Sequence, residues 1–222
     1  YSPHAMAGAL RDTASHAIGR DVSRIGEFVR VLDIEQEYFG RPGINRWARA
    51  AFEIAMWDAW ARTLAQPVHR LFGIHRDSVP LYGSGGWLSY SISELLDEMT
   101  GYVRRGFRAE KVKVGSRDLE TDVERLRRVR EAVGPHVNVM MDANQGMTVA
   151  SALALVSALR DTRITWFEEP IPNTDFAGYA QLRRQAGVSL AMGEREFDTV
   201  ALRELIGRNA IDLWQPDILR IG

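Results

Sequence analysis

The 222-residue sequence contains no cysteine, which excludes disulfides, thiolate metal sites and cysteine nucleophiles and is compatible with a reducing, cytoplasmic location. It also has almost no net charge. Its 28 basic and 29 acidic side chains leave −1 at pH 7, so the positive surface of a nucleic-acid-binding protein is missing. No apolar run reaches 18 residues, and we therefore expect no membrane span. The remaining composition, 45% hydrophobic and 26% charged, is typical of a globular protein.

Several familiar catalytic motifs are absent as well. The five histidines form no His-x-His or His-x-x-x-His pair, which argues against a histidine-ligated zinc site. No Gly-x-Ser-x-Gly elbow supports serine acyl transfer. The Gly-Ser-Gly-Gly run at 83–86 lacks the Lys-Ser/Thr ending of a P-loop and the spacing of a dinucleotide-binding fingerprint, so we interpret it as a flexible loop after a strand.

The chain divides into two regions of different pattern near residue 76. Residues 1–76 are helical in pattern, with helices predicted over about 3–20, 22–36 and 44–65. From residue 77, short β-branched runs alternate with longer helical stretches, which predicts parallel βαβ units. The predicted strands cover 79–82, 111–114, 137–141, 164–167, 190–192 and 211–214.

Charged residues stand at or just after the ends of five successive predicted strands. They are separated by 29, 26, 26 and 23 residues, about one βα unit each, and they are Lys113, Asp142, Glu168, Glu194 and Asp217. In a parallel barrel the carboxyl ends of the strands converge on one mouth, whereas an open doubly wound sheet spreads them along a line. The periodicity therefore favours a TIM-type α/β barrel over residues 77–222, of which about six βα units are present.

Three of these residues, Asp142, Glu168 and Glu194, would bring carboxylates to the same mouth. Converging anions repel one another, and a hard divalent cation such as Mg²⁺ resolves that repulsion with oxygen ligands. Each acid alone is better explained by a helix cap, a loop salt bridge or a solvated turn, but their repetition at matching offsets favours the metal site. Asn144 could add a neutral oxygen or orient a substrate, and it is equally explained as a turn residue beside Gly146.

Lys111 and Lys113 alternate with Val112 and Val114, so both lysines leave the same face of their strand. In a barrel interior, desolvation and mutual repulsion lower the pKa of both ammonium groups. A lysine shifted toward neutrality can act as a general base near pH 7. The alternative is an edge strand with a solvated lysine face.

At these residues the sequence resembles the enolase superfamily and, within it, the mandelate racemase-like subgroup of the mandelate racemase/muconate lactonizing enzyme family. Residues 46–62, with the pair Trp57-Asp58, resemble a helix of the family's capping domain. The other matching motifs, in chain order, are Lys111-Val-Lys113-Val-Gly115, Met141-Asp142-Ala-Asn144-Gln145, Trp166-Phe-Glu168-Glu169-Pro170, Met192-Gly193-Glu194 and Gln215-Pro216-Asp217 followed by Arg220-Ile-Gly222.

The resemblance implies a (β/α)7β barrel and an α+β capping domain, of which residues 1–76 would be the helical part. It implies one Mg²⁺ bound by Asp142, Glu168 and Glu194, a small carboxylate substrate and a homo-oligomer. Lys113 would be the base that abstracts the proton α to the carboxylate, and Lys111 would neutralise the carboxylate or the metal-stabilised enolate. Asp217 would orient a histidine on the opposite face of the substrate.

The activity expected from the resemblance is dehydration of an acid sugar. The alternatives are racemisation or epimerisation of a 2-hydroxy acid and a catalytically silent fragment. Arg195 could meet the distal carboxylate of a diacid sugar, or form a salt bridge with Glu196 or Glu169. Since the histidine and the last strands would follow Gly222 and the capping strands would precede Tyr1, we expect a chain truncated at both ends that is inactive alone.

Overall fold

A computed structural model describes residues 2–38, 40, 42–116 and 118–222. It divides into two compact units. The first unit runs to Ser78 and includes 194–199 and 216–222, and the second comprises 79–193 and 200–215. No helix in the described part of the chain is long and apolar enough to cross a membrane.

The first unit is built from helices, as the sequence predicts. They are α1 (Pro3–Ala17), α2 (Ile25–Glu35), α3 (Ile44–Thr63), the short α4 (Val68–Leu71) and α10 (Ile218–Ile221). Helix α1 begins at Pro3, which suits a first helical position, and the Ser2 hydroxyl accepts a hydrogen bond from the Ala5 amide at 3.4 Å. Helices α2 and α3 meet through buried side chains, among them Phe28, Leu32 and Met56.

The second unit contains a parallel sheet whose strand order follows the chain, β1 to β6, with helices between the strands. This confirms the predicted parallel βαβ organisation. The elements are β1 (Gly83–Gly85), α5 (Ile92–Arg104), β2 (Ala109–Lys113), α6 (Leu119–Val133), β3 (Asn138–Asp142), α7 (Val149–Ala158), a 3₁₀ turn (Arg160–Thr162), β4 (Ile164–Glu168), α8 (Phe176–Gln185), β5 (Ser189–Met192), α9 (Thr199–Gly207) and β6 (Leu213–Trp214).

The first strand is not where the sequence predicts it. Residues 79–82 are outside the sheet, with Val79 70% exposed, and the strand is the glycine-rich Gly83–Gly85, so the interpretation of this run as a flexible loop is also wrong. A Cβ atom on Gly83 would lie 2.4 Å from the Tyr102 ring of α5. Helix α5 therefore packs directly on the backbone of β1, where only glycine fits, and this close approach outweighs β-propensity.

The strand register places the candidate residues at one end of the sheet. Lys113, Asp142 and Glu168 are the last residues of β2, β3 and β4, and the ladder aligns Lys113 with Asp142 and Asp142 with Glu168. Glu194 and Asp217 come shortly after β5 and β6. The prediction that these residues follow strand ends is confirmed.

Candidate active site

Lys111 and Lys113 leave the same face of β2, as their spacing predicts. On the other face, Val112 and Val114 are buried in the hydrophobic core between the sheet and its helices. Strand β2 pairs with β1 on one side and β3 on the other, so the alternative of an edge strand is wrong. The Lys111 side chain is only 8% exposed.

The two lysines pair with the buried carboxylates at the ends of the next two strands. Lys111 Nζ lies 2.5 Å from Glu168 Oε1 and 3.3 Å from Asp142 Oδ2. Lys113 Nζ lies 2.5 Å from the same Asp142 oxygen. Two ammonium groups thus neutralise two carboxylates in a site that excludes most water, which is the arrangement that buried charges require.

Neutral groups donate hydrogen bonds to the second oxygen of each carboxylate. Glu168 Oε2 accepts hydrogen bonds from Gln215 Nε2 at 2.9 Å and Trp166 Nε1 at 3.3 Å. Asp142 Oδ1 accepts from the Asn144 amide at 2.8 Å. The sequence assigns no role to Trp166 or Gln215. The available signal is that Gln215 directly follows β6, at the strand end where the charged residues also stand.

The expected lowering of the lysine pKa is wrong for Lys111. Burial does lower the pKa of this ammonium group, but the Glu168 carboxylate and, to a lesser extent, Asp142 raise it by more, so the pKa of Lys111 lies above its ordinary value. Lys111 is therefore a fixed positive charge between two strand ends.

Aromatic rings lie over both ammonium groups. Lys111 Nζ is 5.8 Å from the centre of the Tyr82 ring, and Lys113 Nζ is 5.7 Å from that of Trp87, both within cation–π range. Trp87 also borders a cavity of about 350 Å³ beside Lys113. The cavity is lined by Trp87, Leu88, Ser89, Lys113, Val114, Ala143 and Asn144. The sequence gives no signal for Trp87 beyond its place next to the glycine-rich run.

Of the two alternatives that the sequence leaves open for Asn144, the structure confirms the turn. Its φ of 44° places it in the left-handed region, and the Gly146 amide donates to the Ala143 carbonyl at 2.8 Å, so the segment is a turn. Asn144 also lines the cavity beside Lys113. The role of Asn144 in orienting a substrate stays a prediction.

The remaining candidates, Glu194, Arg195 and Asp217, belong to the first unit. Arg195 Nε lies 3.9 Å from Glu194 Oε1, and both side chains are well exposed. Asp217 caps α10, accepting from the Leu219 amide at 2.9 Å, and lies 3.8 Å from Arg220 Nε. Across residues 2–38, 40, 42–116 and 118–222, no group of three or more acidic, histidine or cysteine side chains is gathered closely enough to hold a metal ion.

Asp142 and Glu168 nevertheless have the chemistry that a magnesium ion needs. Both contact the same Lys111 ammonium group, so their oxygens lie close together at neighbouring strand ends. Mg²⁺ is commonly bound through one or two carboxylates while substrate and water supply the other oxygens. The residues within the second unit thus fit such an ion, and the histidine-free, cysteine-free donor set disfavours softer metals.

Comparison with known proteins agrees with the resemblance seen in the sequence. Residues 2–73 match the family model "Mandelate racemase / muconate lactonizing enzyme, N-terminal domain". Residues 94–222 match the model "Enolase C-terminal domain-like". The two matches cover most of the chain in the family's order.

Among curated proteins, the 3,6-anhydro-alpha-L-galactonate cycloisomerase of Streptomyces coelicolor is 31% identical, over 96% of this chain and 59% of its own length. The L-talarate/galactarate dehydratase of Salmonella typhimurium is 32% identical, over 96% of this chain and 54% of its own length. The chain thus spans little more than half the length of these relatives.

A solved structure of a racemase from Streptomyces coelicolor A3(2) with bound magnesium superimposes with a TM-score of 0.95. It is 30% identical, and the match covers 100% of this chain and 67% of that one. This similarity confirms the predicted fold class, part of a TIM-type barrel. The chain belongs to the mandelate racemase/muconate lactonizing enzyme family of the enolase superfamily.

Proposed function

We propose that the protein containing this chain is a Mg²⁺-dependent lyase that removes the proton α to the carboxylate of an acid sugar and then expels a β-hydroxyl as water. One observation carries the proposal: Lys111 and Lys113 project from one face of β2 onto two buried carboxylates at the neighbouring strand ends. They are also the only lysines in the sequence, since 26 of its 28 basic residues are arginine. Arginine stays protonated and cannot accept a proton, whereas lysine can.

In this proposal, Lys113 Nζ accepts the α-proton. Lys113 does so as a neutral amine, which becomes the ammonium ion on taking the proton, and its side chain borders the cavity of about 350 Å³, where a small hydroxy acid fits. Lys111 supplies positive charge beside the substrate carboxylate, and Asn144 orients the substrate from the same cavity wall. The α-proton of a carboxylate is a very weak acid, so these fixed charges are needed to stabilise the anion that its removal creates.

Asp142 and Glu168, together with Glu194, would hold the magnesium ion. When bound, Mg²⁺ supplies a Lewis acid that stabilises negative charge on the substrate carboxylate. Arg195 is proposed to meet a distal carboxylate, and Asp217 to orient the second acid–base residue of the complete protein, which we propose acts as a homo-oligomer. The dehydratase relative supports the reaction class, and the magnesium-bound structure supports the choice of metal.

Racemisation is the second candidate, because a protein described as a racemase superimposes on this chain with a TM-score of 0.95. Both reactions begin with removal of the same α-proton. They differ in the next step, since a lyase expels the β-hydroxyl and a racemase returns a proton to the opposite face.

The test is ¹H NMR of the full-length protein in D₂O with MgCl₂ and a panel of acid sugars that includes galactarate, talarate and galactonate. We expect loss of the α-proton signal and formation of a 2-keto-3-deoxy acid. Lys113→Arg keeps the positive charge but removes the base, so the rate should fall about 10²- to 10⁴-fold. Titration calorimetry should show Mg²⁺ binding retained.

The matched control is Arg208→Lys directly after α9, where exposed Arg208 pairs with Glu204 at 3.2 Å, and it should leave the rate unchanged. If deuterium enters the α-carbon in both configurations and no water is lost, the activity is that of a racemase and the proposed lyase is wrong. A wild-type protein that exchanges the α-proton of no acid in the panel would overturn the proposal and favour a catalytically silent chain.

A further inference from the structure

Arg125 of α6 is a buried arginine that makes no contact with the paired carboxylates. It is 3% exposed, and burial lowers the pKa of its guanidinium while Asp122 on the same helix opposes that effect. A buried cation is costly unless hydrogen bonds replace its lost hydration. Both terminal nitrogens of Arg125 make such bonds to the segment that follows β1, Nη2 to the Gly86 carbonyl at 2.8 Å and the Trp87 carbonyl at 3.0 Å, and Nη1 to the Tyr90 carbonyl at 3.2 Å, whereas Nε has no hydrogen-bond partner among the described residues.

The segment that Arg125 holds, residues 86–90, forms one wall of the cavity beside Lys113. Trp87, Leu88 and Ser89 all line that cavity, and the Trp87 ring lies over the Lys113 ammonium group. The position of this wall therefore determines both the room beside Lys113 and the surface that its Nζ faces.

Asp122, one turn before Arg125, holds the backbone that follows Lys113. Its Oδ2 accepts hydrogen bonds from the Gly115 amide at 2.9 Å and the Ser116 amide at 3.0 Å. One turn of α6 thus holds two segments. Arg125 binds residues 86–90 after β1, and Asp122 binds residues 115–116 after β2, so both segments are hydrogen-bonded to the same turn of α6.

We propose that Arg125 is a positioning residue, which acts on the reaction through the segment 86–90 by holding Trp87 over Lys113 and thereby setting the shape of the substrate cavity. The proposal rests on the function proposed above for Lys113. It concerns placement, since Arg125 itself donates to backbone carbonyls behind the cavity wall.

Arg130 provides a matched control on the same helix. It too donates to backbone carbonyls, those of Val137 at 2.6 Å, Gly134 at 2.8 Å and Thr162 at 2.9 Å. These carbonyls precede β3 and β4, at the opposite end of the strands from Lys113. Replacing either arginine removes hydrogen bonds to backbone carbonyls and should lower stability. Only the replacement of Arg125 is expected to move Trp87 relative to Lys113.

The experiment uses the full-length protein labelled with ¹³C at lysine Cε, to which this chain contributes only two signals because it has two lysines. The Lys113 signal, assigned by its loss in Lys113→Arg, should carry a ring-current shift that disappears in Trp87→Leu. In Arg125→Met and Arg125→Gln it should move toward the Trp87→Leu position, while the Lys111 signal, under Tyr82, stays in place. Arg130→Met should leave both signals unmoved.

For the proposed acid-sugar substrate, kcat/KM should fall about 10- to 100-fold in the Arg125 variants, as expected when a reacting group is displaced by about 1 Å. The NMR signals need no turnover, so a protein without α-proton exchange would refute the proposed function and still test Arg125. If Arg125→Met does not fold, Arg125→Gln decides, since it keeps a planar polar group in the buried site but is too short to reach the carbonyls that Nη1 and Nη2 bond. A folded Arg125 variant whose Lys113 signal stays at the wild-type position would overturn the proposal.

Discussion

Both faces of strand β2 hold buried ionisable side chains, but these side chains form ion pairs on one face only. On the site face, Lys111 and Lys113 contact Asp142 and Glu168 at 2.5–3.3 Å. On the opposite face Glu110 is completely buried, and neither of its carboxylate oxygens has a hydrogen-bond partner among the residues that the structure describes. Charge on the site face is balanced by other charge, whereas Glu110 is left to be neutralised by a proton.

The groups around Glu110 explain this difference. Burial raises the pKa of Glu110 to about 7, and of the charges facing it, Arg130 on α6 lowers the pKa while Glu98 on α5 raises it. Arg130 gives its donors to backbone carbonyls, so it attracts Glu110 without bonding to it. Ion pairing on β2 is thus confined to the face that carries the candidate chemistry.

The largest effect is expected on the site face, from Lys111→Met. Removing this ammonium group leaves Glu168 and Asp142 with less compensation in a buried site, and the free energy of unfolding should fall by about 4 kcal/mol. Urea unfolding followed by tryptophan fluorescence at pH 7, in buffer with chelator to remove divalent ions, measures it. Adding Glu168→Gln to the variant should restore much of the stability. A Lys111→Met protein as stable as the wild type would show that pairing on this face contributes no stability.

Glu110→Gln should have a somewhat smaller effect, and one that depends on pH. The folded chain binds the Glu110 proton up to a pKa of about 7, whereas an unperturbed glutamate releases it near 4.5. As the pH rises between these values the unfolded state loses the proton first, so wild-type stability declines by up to about 3 kcal/mol. An amide cannot ionise and removes this decline. The variant should therefore match the wild type near pH 4.5 and exceed it by about 3 kcal/mol at pH 8.

The measurement is the difference in unfolding free energy between wild type and variant across that pH range, so that other titrating groups cancel. Glu131→Gln, on the exposed side of α6, is the control, and its difference should stay within about 0.5 kcal/mol at every pH. If the difference in unfolding free energy between Glu110→Gln and the wild type does not change with pH, then the pKa of Glu110 is not raised in the folded protein and its carboxylate is hydrogen-bonded or hydrated there.

The site face of β2 is predictable from sequence because its signals are local. Alternation alone puts Lys111 and Lys113 on one face, and the regular βα spacing alone puts Asp142 and Glu168 at the same end of the next strands. The same alternation places Glu110 on the valine face. Its burial could not be predicted, because it depends on how closely α5 and α6 pack. The raised pKa of Lys111 likewise depends on distances between side chains of different strands.

Strand β1 shows the same limit more sharply. Residues 79–82 have the higher β-propensity, yet the sheet uses Gly83–Gly85, whose register with β2 places Gly83 opposite Glu110. What selects glycine there is the approach of Tyr102 to Gly83 and of Glu98 to Gly85, which are 19 and 13 residues apart in sequence. Close packing between elements of this kind is a tertiary property, and propensity carries no information about it.

The smallest effect is expected from Gly83→Ala. This variant tests whether the close packing of α5 on the sheet requires glycine in β1. An added Cβ would meet Tyr102 ring atoms at 2.4–2.8 Å, so ring or helix must shift, and the free energy of unfolding should fall by about 2 kcal/mol. Gly8→Ala is the matched control, because Gly8 lies inside α1 with no atom within 4 Å of an added Cβ. It should raise stability by about 0.5–1 kcal/mol. If urea unfolding instead shows Gly83→Ala gaining stability as Gly8→Ala does, then α5 does not require glycine in β1. In that case α5 packs less closely on the sheet face that holds Glu110 than the burial of Glu110 indicates.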